Sequence, residues 1–273
     1  MDQVCLNGKF YAASQPLIAV RSPGFTWGEG FFETIKVRKG KILLEELHYK
    51  RAKHAAQMLD LQPEILRHES ELSKYILQLC EYNNCMEAAR VRVSFFRMEG
   101  DVPGWCIDAR GLSEDFFRWN EKGFRVGVFP HARKSPDVIS NLKTANFLVY
   151  TLAARHARKE GWDDAIVLNT DQRIADTSRA NIFIVRDGVV LTPQLSEGCV
   201  SGVMREFLMD AMKKEGIDVK EQSLSEEDLL TADEMFLTNC IQDVRWVRHY
   251  GQRKFDNKVS RNLYERLVRS GNF

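Results

Sequence analysis

Apolar and polar positions alternate through Arg90-Val91-Arg92-Val93-Ser94-Phe95-Phe96-Arg97. A period of two predicts a strand with Val91, Val93 and Phe95 on one face and Arg90, Arg92 and Ser94 on the other. Shorter apolar runs at residues 124–129, 165–168, 182–185 and 234–238 predict further strands. Asn7-Gly8, residues 38–41, Asp187-Gly188 and Gly251-Gln252 carry hairpin signals. Helical spacing takes over at residues 44–61, where Leu44, Leu47, Ala55 and Met58 share a stripe that also contains Arg51. Helices are also predicted from Pro63 to about Asn83, from about Thr144 to Lys159, over residues 203–214 and over about 260–270. Ser201 is a candidate N-cap for the 203–214 helix and Gly216 its stop signal, while Ser225-Glu226-Glu227-Asp228 opens a short helix. The pattern weakens between Asp101 and Gly123, which divides the chain into a smaller domain (residues 1–114), a linker (115–122) and a larger domain (123–273). There is no internal repeat.

Composition narrows the class. Of the 273 residues, 44% are hydrophobic and 28% charged, as in an ordinary globular protein. A formal net charge of +1 gives no general pull toward nucleic acid or membrane. Met1-Asp2-Gln3-Val4-Cys5 lacks the basic and apolar regions of a signal peptide, and no apolar run reaches the ~20 residues that span a bilayer. The six cysteines are scattered without a C-x-x-C pair. No metal site is therefore expected, and reduced thiols in a cytoplasm are.

The chemistry centres on Ser140-Asn141-Leu142-Lys143-Thr144-Ala145-Asn146-Phe147. Lys143 falls where an extended run hands over to a helix, so its side chain is either a solvated loop cation or one that reaches into a cleft. Phe25-Thr26-Trp27-Gly28-Glu29-Gly30-Phe31-Phe32-Glu33-Thr34 sets two glycines among aromatics, a request for unusual torsions or close approach. Arg51 on an apolar stripe must meet an anion: a nearby Glu, or a fixed phosphate that its guanidinium grips with two bonds. Its stem also allows it to reach the rim. Arg90 and Arg92 are either a wet sheet face or readers of a substrate carboxylate. Pyridoxal phosphate chemistry needs a lysine for the aldehyde, a carboxylate for the pyridine nitrogen and donors for the phosphate. Lys143, Asp176 and the turn Gly202-Val203-Met204 at a helix start, with Arg51, can fill those roles. Asp176 read alone is as well explained as a loop residue accepting local backbone bonds.

These residues, in this order, resemble the class IV aminotransferases, the pyridoxal phosphate enzymes of fold type IV. The likeness rests on Trp27 to Thr34, on His48-Tyr49-Lys50-Arg51, on Lys143 with Asn146, and on Asp176 through Asn181-Ile182-Phe183. It continues through Thr192-Pro193, Gly202-Val203-Met204-Arg205 and Ala232-Asp233-Glu234-Met235-Phe236. The resemblance implies an α/β (α+β) two-domain fold with the cofactor, pyridoxal 5'-phosphate, in the cleft between domains. It makes Lys143 the catalytic residue and assigns cofactor binding to Arg51, Lys143, Asp176, Val203, Met204 and Asn239. It leaves Thr34, Arg90, Arg92 and Arg97 as substrate contacts, with Arg92 and Arg97 competing for the carboxylate. The implied reaction moves an amino group between an amino acid, branched-chain or similar, and a 2-oxo acid. The alternative is cleavage of aminodeoxychorismate to 4-aminobenzoate and pyruvate; a non-catalytic binding protein is a third reading, which the intact lysine opposes. A cytoplasmic homodimer is the implied assembly. The chain departs from the family in carrying Asp176 where Glu is usual and Phe147 where Tyr is frequent. Met204 and Cys240 stand where transaminases often place Thr; Met204 then offers only its backbone amide, and Asn239 replaces the hydroxyl donor.

Overall fold

The structure is a computed structural model that describes residues 2–268. These divide into two compact units, one of residues up to Phe116 together with Leu142–Asn146, the other of Phe117–Asn141 together with the chain from Phe147 onward.

The first unit contains β1 (Gln3–Leu6), β2 (Lys9–Ala12), α1 (Pro23–Thr26), β3 (Gly30–Arg38), β4 (Lys41–Ile42), α2 (Glu45–Met58), α3 (Glu69–Tyr82), β5 (Ala88–Met98) and β6 (Val102–Gly111). Its strands form one antiparallel sheet in the order β2-β1-β6-β5-β3-β4. The alternation along β5 is as the pattern predicts: Val91, Val93 and Phe95 are buried, while Arg90 is exposed and Arg92 and Ser94 half-buried. The apolar face joins Phe31, Ile35 and Ile107 to Ala52, Ala55 and Ala56 of α2 and Leu72, Ile76 and Leu79 of α3 in one core. The buried face of α2 is rotated from the expected stripe. His48, Tyr49, Ala52, Ala55 and Ala56 are buried and Met58 is exposed, because small residues let the helix lie close to the sheet. The helix expected from Pro63 is a 3-10 turn over Glu64–Arg67 followed by α3, broken where His68 leaves helical torsions (φ −123°, ψ 65°).

The second unit contains β7 (Phe124–Val128), α4 (Leu148–Lys159), β8 (Asp164–Leu168), β9 (Ile174–Thr177), β10 (Asn181–Arg186), β11 (Val189–Pro193), α5 (Val203–Lys214), β12 (Val219–Gln222), α6 (Glu226–Thr231), β13 (Glu234–Asn239), β14 (Asp243–Tyr250), β15 (Arg253–Lys254) and α7 (Lys258–Leu263). Among the described residues its sheet runs β12-β11-β10-β13-β14-β7-β8-β9, with β15 paired to β14. The strand pairs β11–β12, β7–β14 and β7–β8 are parallel. Tyr150, Ala153 and Ala157 of α4 pack on Ala165 and Val167 of β8. The closing helix, expected over 260–270, runs from Lys258 to Leu263 and passes into a π turn at Tyr264–Val268; its last two expected residues lie outside the described ones. No helix among the described residues is long and apolar enough to cross a membrane.

Two expectations change around the lysine. The sequence divided the chain so that Lys143 lay in the C-terminal domain, whereas its segment packs with the first unit. The cause is backbone pairing: Phe32 N donates to Lys143 O at 3.0 Å, Ala145 N donates to Gly30 O at 2.8 Å, and Phe31 and Thr144 form an antiparallel bridge. Chain held in that way cannot also be helical, so α4 starts at Leu148 rather than at Thr144.

Candidate active site

In the first unit the lysine segment is tied to the glycine-aromatic stretch. Asn146 Nδ2 donates to Gly28 O at 3.2 Å. Both glycines are needed: Gly28 has φ +69°, and a Cβ on Gly30 would stand 2.5 Å from Phe95 O. This backbone clamp carries the Lys143 Nζ to 4.9 Å from the centroid of the Phe32 ring. The Arg92 guanidinium carbon lies 3.6 Å from the same centroid, and Arg92 Nε donates to Ser94 Oγ at 3.0 Å. Burial and the neighbouring Arg90 lower the Arg92 pKa, against the opposing pull of Asp108. Thr34 is the direct cross-strand neighbour of Arg92. Lys143, Arg92 and Thr34 therefore belong to one sheet face, with the exposed Arg90 at its edge.

Arg97 is not among them. It falls on the other parity of β5, and its guanidinium is engaged by Glu29 at 2.9 Å, Asp101 at 3.0 Å and the Asp60 carbonyl at 2.8 Å. Between Arg92 and Arg97, only Arg92 shares a face with Lys143.

Arg51 meets the nearby carboxylate that its position allowed. Nε donates to Glu33 Oε1 at 2.8 Å and Nη2 to Glu33 Oε2 at 2.6 Å, and His48 Nδ1 lies 2.6 Å from the same Oε2. The bidentate pair fixes the guanidinium plane. Burial of Glu33 disfavours its charge, but Arg51 and His48 outweigh that and bring its pKa down to about 2. A carboxylate depressed in the folded state adds stability above its unfolded pKa, near 4.5, and loses it as pH falls toward 2. Glu33→Gln is expected to lower stability at neutral pH by about 3 kcal/mol and to flatten the acid limb below about pH 4.5. Urea unfolding across that range measures both; an unchanged acid limb would remove Glu33 from the account.

In the second unit, Asp176 on β9 is 2% exposed. Its Oδ2 accepts from Tyr150 Oη at 2.9 Å and from the Val200 amide at 3.0 Å, and Lys134 Nζ stands 3.8 Å away. Its Oδ1 is buried and has no hydrogen-bond partner among the described residues. Burial raises the Asp176 pKa, and Lys134, the Val200 amide and Tyr150 oppose that rise. Asp164 locks the neighbouring chain through Thr177 Oγ1 at 2.9 Å and the Ser178 amide at 3.1 Å.

The loop ahead of α5 is equally constrained. Asn141 Nδ2 donates to the carbonyls of Leu195 and Cys199, Ser201 N donates to Asn141 O, and Asn181 Nδ2 donates to Val200 O at 2.8 Å. A Cβ on Gly202 would stand 1.8 Å from Asn181 Oδ1, so glycine is required there. Gly202, not Ser201, is the N-cap of α5, and as a glycine it has no side chain with which to cap the helix. The amides of Val203 and Met204 are thus first-turn donors without an intrahelical acceptor. The Met204 side chain is buried in the core.

Asn239 is used differently from the expectation. Its Oδ1 accepts from the amides of Ile241 and Gln242, and its Nδ2 donates to Arg179 O and Gln242 Oε1, closing the β13–β14 turn. The preceding residue carries a group that the sequence did not single out: Thr238 Oγ1 is buried and, among the described residues, without a partner. Lys134 and Tyr150 were also missed, since nothing local in the sequence marks a contact that joins residues 134, 150 and 176.

The family profile described as amino-transferase class IV matches residues 30–250. The chain is 26% identical to the branched-chain-amino-acid aminotransferase of Escherichia coli K12, over 90% of this chain and 84% of that one. It is 24% identical to the aminodeoxychorismate lyase of Bacillus subtilis, over 88% of this chain and 84% of the relative. The crystal structure of a branched-chain aminotransferase from Thermoproteus uzoniensis with norvaline matches at a TM-score of 0.87 and 25% identity, covering 96% of this chain and 92% of that one. A profile that matches well over half of the chain and a fold shared along nearly its whole length make one conclusion: this protein belongs to the class IV aminotransferase family and is a class IV aminotransferase.

Proposed function

We propose that the chain transfers an amino group between a branched-chain or similar amino acid and a 2-oxo acid, with pyridoxal 5'-phosphate held by the residues described above. The observation that carries this reading is Asp176: a buried carboxylate with one oxygen fully engaged and the other buried without a donor. A protonated ring nitrogen is the donor such an oxygen lacks. The glycine N-cap at the start of α5 and the Thr238 hydroxyl, unpartnered among the described residues, suit a phosphate in the same way. The residues present fit the cofactor.

When bound, pyridoxal phosphate supplies an aldehyde that takes up an amino group and a cationic ring that accepts electron density from the substrate alpha carbon. Lys143 Nζ would hold the aldehyde carbon and, when neutral, would take the proton from the substrate alpha carbon and deliver it to the former aldehyde carbon, the shift that leaves a 2-oxo acid after hydrolysis. Asp176 Oδ1 would keep a proton on the ring nitrogen. Arg51, aimed by Glu33, and the amides of Val203 and Met204 would bind the phosphate, aided by the positive end of α5. Arg92 pairs with the substrate carboxylate, with Thr34 beside it and Arg90 outside; guanidinium suits that task because it grips a carboxylate with two parallel bonds.

The names of the relatives support branched-chain substrates and keep carbon–carbon cleavage in view. Valine, leucine and isoleucine, offered to the cofactor-loaded protein without acceptor, should each yield their 2-oxo acid with loss of the lysine-bound absorbance. Failure with all three would end the branched-chain reading, and pyruvate release from aminodeoxychorismate under the same conditions would replace it with the lyase. Val20, Phe25 and Trp27, 73%, 69% and 74% exposed, support a homodimer that covers them; a sedimentation mass of one chain would argue against it. Six cysteines scattered without a C-x-x-C pair suit a reducing cytoplasm, and a thiol count below six on protein unfolded without reductant would oppose it.

A further inference from the structure

We infer that Lys134 and Tyr150 are positioning residues for Asp176: together they occupy its Oδ2 and supply the charge that keeps it ionised, so that Oδ1 is presented to the ring nitrogen of the cofactor. The inference rests on the cofactor reading above and adds two residues to it.

The geometry is held from three separate elements. Lys134 lies between β7 and α4, but its backbone is registered on the end of β8: its amide donates to Leu168 O at 2.9 Å and its carbonyl accepts from the Thr170 amide at 3.1 Å. That register aims its side chain at α4, where Lys134 Nζ is hydrogen-bonded to Tyr150 Oη. Tyr150 is 6% exposed, and its ring packs 4.4 Å from that of Phe147. Asp176 comes from β9, with Oδ2 2.9 Å from Tyr150 Oη and 3.8 Å from Lys134 Nζ.

The order of protons in this chain is fixed by chemistry. An ammonium group donates and cannot accept. Tyr150 Oη must therefore accept from Lys134, and its single proton is left for Asp176. Burial and the adjacent Asp176 raise the Tyr150 pKa well above its ordinary value, so the hydroxyl keeps that proton. With the Val200 amide as second donor, Oδ2 has two partners and Oδ1 none. A carboxylate loaded on one oxygen cannot rotate without breaking both bonds. Lys134 also supplies a positive charge 3.8 Å from Asp176 Oδ2. The other groups that bear on Asp176 do not help it ionise: Asp164 repels its charge, and the Cys199 thiol, its pKa pushed up to about 12 by burial, stays neutral.

A merely structural role, pinning α4 to the sheet, predicts something different, and cofactor affinity separates the two. The probes are pyridoxal phosphate and its analogue with a CH group in place of the ring nitrogen, each titrated into protein stripped of cofactor. The unmodified chain should bind the natural cofactor at least about tenfold more tightly than the analogue, the size expected of one charge-assisted hydrogen bond. Lys134→Met and Tyr150→Phe should each narrow that ratio several-fold, while leaving affinity for the analogue within about twofold. Lys134→Arg should retain the ratio. The acid limit of natural cofactor binding should move to higher pH in Lys134→Met, because Asp176 loses the cation that opposes its protonation. Tyr150→Phe keeps the ring and its packing, so the test survives if the lysine variant folds poorly. Equal losses on both ligands, or an unchanged ratio in both variants, would overturn the inference while leaving the cofactor reading intact. An unmodified chain that binds neither ligand would overturn both.

Discussion

Lys143→Ala should abolish amino transfer, lowering kcat at least about ten-thousandfold and removing the lysine-bound absorbance of the cofactor. The expectation is large because, on the reading proposed above, the one nitrogen beside the Phe32 ring has two tasks, holding the aldehyde and moving the alpha proton. Arg92, the other cation on the ring, stays protonated at working pH and cannot act as a base. The loss should not come from unfolding. The segment is anchored by backbone bonds from Phe32 N and Ala145 N and by the Asn146 amide, none of which uses the lysine side chain. Thermal unfolding of the variant should thus stay close to that of the parent, while single-turnover conversion of an amino acid to its 2-oxo acid disappears. A variant that retains a tenth of the parent rate would show that the proton is moved by another group.

What could be read ahead of the structure was whatever repeats at short range. The two-residue period of β5 located Arg92 on the polar face, and the glycine pair at Gly28 and Gly30 announced the close approach that the structure contains. Arg51 was legible as a residue that must meet an anion, but the choice between Glu33 and a phosphate depends on a contact across eighteen positions of chain, which periodicity does not encode. The N-cap of α5 was misplaced by one residue. Serine is the better capping side chain, yet the requirement at Gly202 comes from Asn181 pressing on it, a tertiary constraint that overrides the local preference. Asn239 shows how much a local turn can claim: the side chain read as a cofactor donor accepts from two amides of its own turn, a common use of asparagine after a strand. Lys134 and Tyr150 had no signal at all, because each is an ordinary residue in its own stretch and gains meaning only beside Asp176.

Asp176→Asn should lower kcat about a hundredfold to a thousandfold, with KM for the amino donor nearly unchanged. The substitution keeps the shape of the side chain, so its effect turns on which way the amide settles. Tyr150 Oη and the Val200 amide both donate to the Oδ2 position, and only the carboxamide oxygen can accept there. The NH2 group is therefore forced to the Oδ1 position, where the parent presents a buried acceptor. A donor would then face the ring nitrogen and hold it unprotonated, the reverse of what carbanion stabilisation requires. On the reading proposed above, substrate carboxylate binding is left to Arg92, which the change does not touch, and that is why the cost should fall on kcat rather than KM. Lys134 also loses its counter-charge, so some stability should be lost, and the rate must be compared at a temperature where both proteins are folded. A variant within tenfold of the parent kcat would mean that the ring nitrogen needs no charge in this enzyme, and the roles assigned to Asp176, Tyr150 and Lys134 would fall together.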